Sequence, residues 1–151
     1  MTPQDYLRRQ AMNGTNRGAT AKIKPTTDRL RIVLPWPPTV NHSTGPTASG
    51  GRYLTAEHRT FRNEVSLRVI AAGSPSFGPD ARLAVDIYLT PPDRRRRDCD
   101  NFTKSVQDAL QVCGVYGDDS QIDELRVVRG DVVIPGEGSA VVTISERLAH
   151  G

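Results

Sequence analysis

Cysteine, histidine and lysine are scarce in this chain of 151 residues, and no long apolar run occurs in it. The cysteines are Cys99 and Cys113. Placed on one helix, as argued below, they would stand about 21 Å apart at a rise of about 1.5 Å per residue, whereas a bridge needs Cα atoms within about 7 Å. No disulfide framework is expected, and this cysteine usage suits a reducing compartment. His42, His58 and His150 follow no ligand spacing, which disfavours zinc. There is no glycine-rich phosphate loop, nucleophile elbow, paired CxxC or internal repeat. A membrane-spanning helix wants about 20 predominantly apolar residues, and Met1-Thr2-Pro3-Gln4-Asp5-Tyr6 lacks the apolar stretch of a secretory signal. A cytoplasmic protein with no membrane partner is therefore expected.

What is present is ordinary in size and uneven in charge. A length near 150 residues suits one domain, and a chain this long buries roughly 68–70% of its unfolded surface. The core then needs no metal or disulfide. Of the 20 basic residues, 17 are arginine. Arginine is the side chain whose planar fork of donors matches phosphate. Residues 1–69 carry 11 basic and 4 acidic residues, a net of +7, while residues 70–151 carry 9 and 13, a net of −4. A basic half joined to an acid-rich half suits a polyanion-binding protein whose carboxylates serve another purpose.

Residues 1–29 read as a flexible basic extension, polar and turn-rich, with a short helix from Pro3 to about Met12. The folded part begins with the alternating strand Leu30-Arg31-Ile32-Val33-Leu34, stopped by Pro35-Trp36-Pro37-Pro38. Trp36 reads as packing. A polar loop runs from Thr39 to Tyr53, and Thr55 opens a helix to about Ala72 with Phe61, Val65, Leu67, Val69 and Ile70 mostly on one side. Leu83, Val85, Ile87 and Leu89 alternate strictly, predicting a strand over 82–90. Phe102, Val106, Ala109, Leu110 and Cys113 form a helical stripe, and Gly114 sits where a left-handed C-cap belongs. Ile122–Arg129 and Ala140–Ile144 then read as a final pair of strands around Pro135-Gly136-Glu137-Gly138. The order is β-α-β-α-β-β, an α+β single domain with helices packed on a mixed sheet.

Chemistry concentrates between residues 93 and 124. Asp98 and Asp100 straddle a helix start, where free N–H groups and the helix dipole favour negative charge. Asp100, Lys104 and Asp108 recur every four residues opposite the Phe102 stripe. Asp118 and Asp119 follow the turn at Gly117, although spacing alone does not force Asp119 near Asp98. Gathered carboxylates repel unless a cation neutralises them. Mg²⁺ does so with oxygen ligands at about 2.0–2.1 Å, and beside a phosphodiester it supports hydrolysis. The neighbouring Arg94, Arg95, Arg96 and Arg97 would supply phosphate grip. The plain alternative is an acid-capped helix, an acidic turn and a solvated arginine loop.

The run Asp98-Cys99-Asp100-Asn101-Phe102-Thr103-Lys104, followed by Asp108-Ala109-Leu110, Gly114-Val115-Tyr116 and Asp118-Asp119-Ser120-Gln121-Ile122, closely resembles the RusA family of Holliday junction resolvases. Leu34-Pro35-Trp36-Pro37-Pro38 with Asn41 resembles that family's opening strand and loop, so the likeness covers about residues 30–147. It implies a RusA-like endonuclease domain over 30–148, acting on four-way or branched DNA as a homodimer in recombination and repair. It also implies paired symmetric nicks and a phage or prophage origin. Catalytic roles would fall on Asp98, Asp100, Lys104 and Asp119, with Mg²⁺ (Mn²⁺ as substitute) held by Asp98, Asp100 and Asp119. Hydrolysis would release a 3′-hydroxyl, with Arg94–Arg97, Arg52 and the tail lysines on the DNA backbone. The chain departs from the family in its N-terminal extension and in Cys99, where an aliphatic residue is usual. Two competing readings are a branched-DNA binder that does not cut, which the intact aspartates and lysine oppose, and a nuclease of flaps or forks.

Overall fold

The computed structural model describes residues 27–40, 44–46 and 52–147. The expected extension up to residue 26, with its helix and lysines, lies outside these residues, as do Asn41, His42 and His150. The described elements are β1 (Arg29–Pro35), β2 (Thr44–Pro46), β3 (Arg52–Leu54), α1 (Ala56–Ala71), β4 (Leu83–Thr90), α2 (Asp100–Val112), a 3₁₀ turn (Asp119–Gln121), β5 (Ile122–Arg129) and β6 (Ser139–Glu146). The fold is α+β as expected, with the short antiparallel pair β2–β3 added inside the predicted polar loop.

Alternation decides which face of the sheet is buried. Leu30, Ile32 and Leu34 of β1, Leu83, Val85, Ile87 and Leu89 of β4, and Ala140, Val142 and Ile144 of β6 all point to one side and are buried. The register stacks them in rows, with Ile32 opposite Val142 and Val142 opposite Ile87. Both helices cover this face, and Phe61, Val65 and Val69 of α1 join Phe102, Val106, Ala109 and Leu110 of α2 in one core. Fully burying an aliphatic side chain contributes about 1.5–3 kcal/mol, so this shared core holds the helices to the sheet.

Two expectations fail here. The final strands are not neighbours, because the sheet order is β1-β6-β4-β5. β6 lies between β1 and β4, antiparallel to both, while β5 pairs parallel to β4. The reason is burial. The alternate residues Ala140, Val142 and Ile144 are fully covered, which suits a central strand, whereas β5 is largely exposed and takes the edge. Leu67 and Ile70 also fail to join the core, at 44% and 40% exposed. On a helix of about 100° per residue, Leu67 lies across from Val65, and the stripe that packs is His58, Phe61, Val65, Ser66 and Val69. The His58 ring fixes the Trp36 loop to α1 by donating from Nε2 to the Thr39 carbonyl at 2.8 Å.

Candidate functional site

The site is built around the start of α2, which runs back from the carboxyl end of β4. Helix formation there follows from the apolar stripe, with backbone N–H donation from Asn101 to the Asp98 carbonyl at 3.2 Å opening the first turn. Two contacts seat the helix: the Ser105 hydroxyl donates to the Pro38 carbonyl at 2.7 Å, and the Thr103 hydroxyl donates to the Cys99 carbonyl at 2.9 Å. Cys99 occupies the N-cap position without a side-chain cap, and both cysteines are free. Asp98 and Asp100 flank it, exposed, and neither carboxylate has a hydrogen-bond or ion-pair partner among the described residues. Neither serves as a structural cap.

Asp119 reaches the helix by a different route. Gly114 turns the chain with φ +79°, a left-handed conformation that glycine adopts without a Cβ penalty. The segment then runs back along α2, and the Tyr116 hydroxyl donates to the Gln107 carbonyl at 2.7 Å. Burial, with Asp119 and Asp108 nearby, pushes that phenol well above its ordinary range. Asp118 and Asp119 then divide the labour. Asp118 caps the 3₁₀ turn, accepting from the Ser120 amide at 2.8 Å, which lowers its pKa. Gln121 closes the box by accepting from the Gly117 and Asp118 amides and donating to the Gly78 and Ala81 carbonyls. Asp119 is left facing α2.

There it meets Lys104. The ammonium Nζ lies 2.9 Å from Asp119 Oδ2 and 3.1 Å from Asp108 Oδ1. Hydrogen bonds to Asp119 and then Asp108 raise the Lys104 pKa, so it is a fixed cation at neutral pH. The structure thus brings Asp119, Lys104 and Asp108 together. It does not gather Asp98, Asp100 and Asp119 into one cluster, for no group of three metal-ligating side chains forms among the described residues. The donor chemistry nevertheless suits Mg²⁺, which commonly takes one or two carboxylates and completes its shell with water and substrate phosphate. Asp98 and Asp100 are two unpartnered hard-oxygen donors at the positive end of a helix.

The four arginines before Asp98 are not equivalent. Arg97 is turned inward with its side chain only 14% exposed. It donates to Asp93 Oδ1 at 2.7 Å and lies 5.4 Å over the Trp36 ring, which itself packs on Phe102 with centroids 4.9 Å apart. Trp36 is packing, as expected, but it also carries a cation on its face. Arg97, and then the Arg95 amide at 2.9 Å, hold the Asp93 carboxyl down at about 2. Arg94 and Arg96 are exposed and unpartnered among the described residues. Arg52 lies in β3 opposite Pro46. Sequence reasoning missed Asp93, whose (i, i+4) spacing to Arg97 was the available signal, and Arg129, whose Nη1 donates to the Arg97 carbonyl at 3.1 Å and for which there was none.

The chain matches the family model for Endodeoxyribonuclease RusA over residues 35–145. It is 35% identical over 116 residues to the crossover junction endodeoxyribonucleases of Enterobacteria phage 82 and of Escherichia coli (strain K12), covering 74% of this chain and 92% of each relative. The corresponding enzyme of Enterobacteria phage HK97 is 34% identical over 120 residues, covering 79% and 96%.

Proposed function

The chain belongs to the RusA family of endodeoxyribonucleases, and on that premise we propose that it resolves four-way DNA junctions by paired nicks in two opposing strands. It acts as a Mg²⁺-dependent homodimer in recombination and repair in the cytoplasm of a bacterial or phage-infected cell, and is phage or prophage encoded. The observation that carries this reading is the pair of carboxylates, Asp98 and Asp100, that stand beside an arginine loop with no hydrogen-bond or ion-pair partner among the described residues.

Asp98 and Asp100 would hold the ion, with Asp119 as the third carboxylate once Lys104 releases it. When bound, Mg²⁺ supplies Lewis-acid stabilisation of charge at phosphorus. The protein's own contribution rests on Lys104. An ammonium has three donors; once Asp119 is released to the ion, Asp108 engages one of them, leaving two for oxygens of the scissile phosphate. The Asp108 pair keeps the ammonium beside the site, where its positive charge stabilises negative charge growing in the transition state. In the hydrolysis a water oxygen bonds to phosphorus as the bond to the 3′ oxygen breaks; the 3′ oxygen takes a proton from water and departs as a hydroxyl, and the phosphate stays on the 5′ side. A two-fold dimer places identical sites on a near-two-fold junction, which is how one enzyme cuts two strands symmetrically.

The test is cleavage of an end-labelled four-way junction beside a linear duplex of the same arms, with Mg²⁺ and with EDTA. Paired nicks in the junction alone, with Mg²⁺ alone, are expected. Equal cutting of the linear duplex, or cutting in EDTA, refutes the reading.

A further inference from the structure

β4 and β5 are parallel neighbours, so their carboxyl ends open on the same side of the sheet. In open α/β sheets ligands settle in the crevice outside the carboxyl ends of parallel strands, and this parallel pair carries a crevice at the same place. Here the crevice is a cleft of about 430 Å³ between the loop after β4 and the loop after β5, and its lining includes Arg94, Arg95, Arg96 and Arg129. Two carboxylates, Asp93 and Asp131, share it. Asp93 is already neutralised by Arg97 and Arg95, so the cleft remains cationic.

The walls are fixed before any ligand arrives. The Gly130 amide donates to the Leu89 carbonyl at 2.8 Å, the Gly136 amide to the Pro92 carbonyl at 2.8 Å, and Arg129 Nη1 to the Arg97 carbonyl at 3.1 Å. That last bond uses one of the five donors of a guanidinium and leaves the others for an anion. Arg94 and Arg96 have no partner to give up among the described residues. Unspent guanidiniums carried on a hydrogen-bonded loop suit bidentate recognition of phosphate.

The cleft adjoins the catalytic aspartates along the chain. Arg94 and Arg96 precede Asp98 by four and two residues, a reach of at most roughly 7–14 Å. A DNA strand advances about 3.4 Å per nucleotide along its axis, so that reach corresponds to about two to four nucleotides. We propose that this cleft seats a backbone phosphate of the DNA strand flanking the cut, held by Arg94, Arg96 and Arg129. The proposal rests on the nuclease reading above and adds a binding site to it, with Arg129 as its unforeseen member and Arg97 reassigned to supporting the loop.

The experiment uses the full chain in EDTA, so that binding is read without cutting. Affinity for a four-way junction is measured across about 50–200 mM salt for the wild type, Arg94→Ala, Arg129→Gln and the double variant. Arg129→Gln keeps a donor for the Arg97 carbonyl, and a thermal melt checks that each variant is folded. Each single change is expected to flatten the log–log salt slope by about 0.9, and the double change by about twice that. A junction with neutral methylphosphonates about two to four nucleotides from the cut should weaken wild-type binding and leave the double variant indifferent. A folded double variant with unchanged slope and unchanged methylphosphonate sensitivity overturns the proposal, while wild-type cutting in Mg²⁺ leaves the nuclease reading standing. A wild type that neither binds nor cuts the junction overturns both.

Discussion

Lys104→Met separates a catalytic lysine from a structural one. The variant keeps an unbranched side chain one heavy atom shorter and removes two ion pairs, to Asp119 at 2.9 Å and to Asp108 at 3.1 Å. These pairs are half-exposed, with side-chain exposures of 51%, 41% and 37% for Lys104, Asp119 and Asp108. Exposed pairs contribute about 0.2–1 kcal/mol each, so the loss of stability should be no more than about 1–2 kcal/mol. For a domain of this size about 1 kcal/mol moves Tm by roughly 2–4 °C, and a drop well under 10 °C is expected. Removing a donor aimed at transition-state charge instead costs about 10²–10³ in rate. Single-turnover cleavage of a labelled four-way junction should therefore fall at least a hundredfold in a protein that is still folded at the assay temperature. Binding in EDTA should weaken only slightly, by one lost positive charge. Lys104→Arg should recover binding but little cutting, since the guanidinium fork does not reproduce a point charge at the same place. Cutting within about threefold of wild type would refute the role of Lys104, and so would a collapse of Tm that accounts for the loss.

Asp98→Asn, Asp100→Asn and Asp119→Asn should each lose nearly all turnover while binding DNA as well as or better than wild type, because each removes a negative charge facing a polyanion; Asp108→Asn should keep more activity than these three. Wild-type cutting by Asp119→Asn would make Asp118 the next candidate, despite its capping bond to Ser120. Light scattering should give twice the 16.5 kDa chain mass, and a fully active monomer at micromolar concentration would remove the two-fold mechanism. Asp93 makes the acid prediction. Its carboxyl is held at about 2, below an unfolded value of about 3.9, so its stabilisation is present above about pH 4 and fades as pH falls toward 2. Urea melts of Asp93→Asn against wild type should differ near neutral pH and converge across that window; a constant difference would place the anchor of the arginine loop elsewhere.

The elements were legible because their signals are local. Leu83 to Leu89 alternate with period 2, Phe102 to Leu110 repeat with the helical period, and Gly114 marks the turn, so β4, α2 and its C-cap follow from a few consecutive residues each. Asp98 and Asp100 were legible as candidates because two acids at one helix start exceed what capping requires. The division between Asp118 and Asp119 was not. Both are aspartates after a glycine, and only the return of the chain along α2, fixed by Tyr116 on Gln107, shows which caps the turn and which faces Lys104. Leu67 and Ile70 misled for the opposite reason: they are apolar in the right region but at the wrong angle, and the core took the buried, hydrogen-bonded His58 instead.

Sheet order carries the part of the argument that periodicity could not supply. Had the last two strands formed a hairpin, β5 would pair with β6, and nothing would hold its end beside the end of β4. The parallel pairing of β4 with β5, with α2 as the crossover between them, brings the arginine loop, Arg129 and the start of α2 to one edge. That edge holds opposite charges without cancelling them. Asp93 takes Arg97 into an internal pair stacked on Trp36, which leaves the carboxylates of Asp98 and Asp100 unneutralised although arginine is adjacent in sequence. An Arg97→Ala variant should therefore lose cutting more than it lowers the salt slope of binding, because it releases the loop that positions Asp98 while removing a side chain that is only 14% exposed. A salt slope reduced as much as by Arg94→Ala, with cutting preserved, would show that Arg97 grips DNA directly and that the Trp36 stack does not position the site.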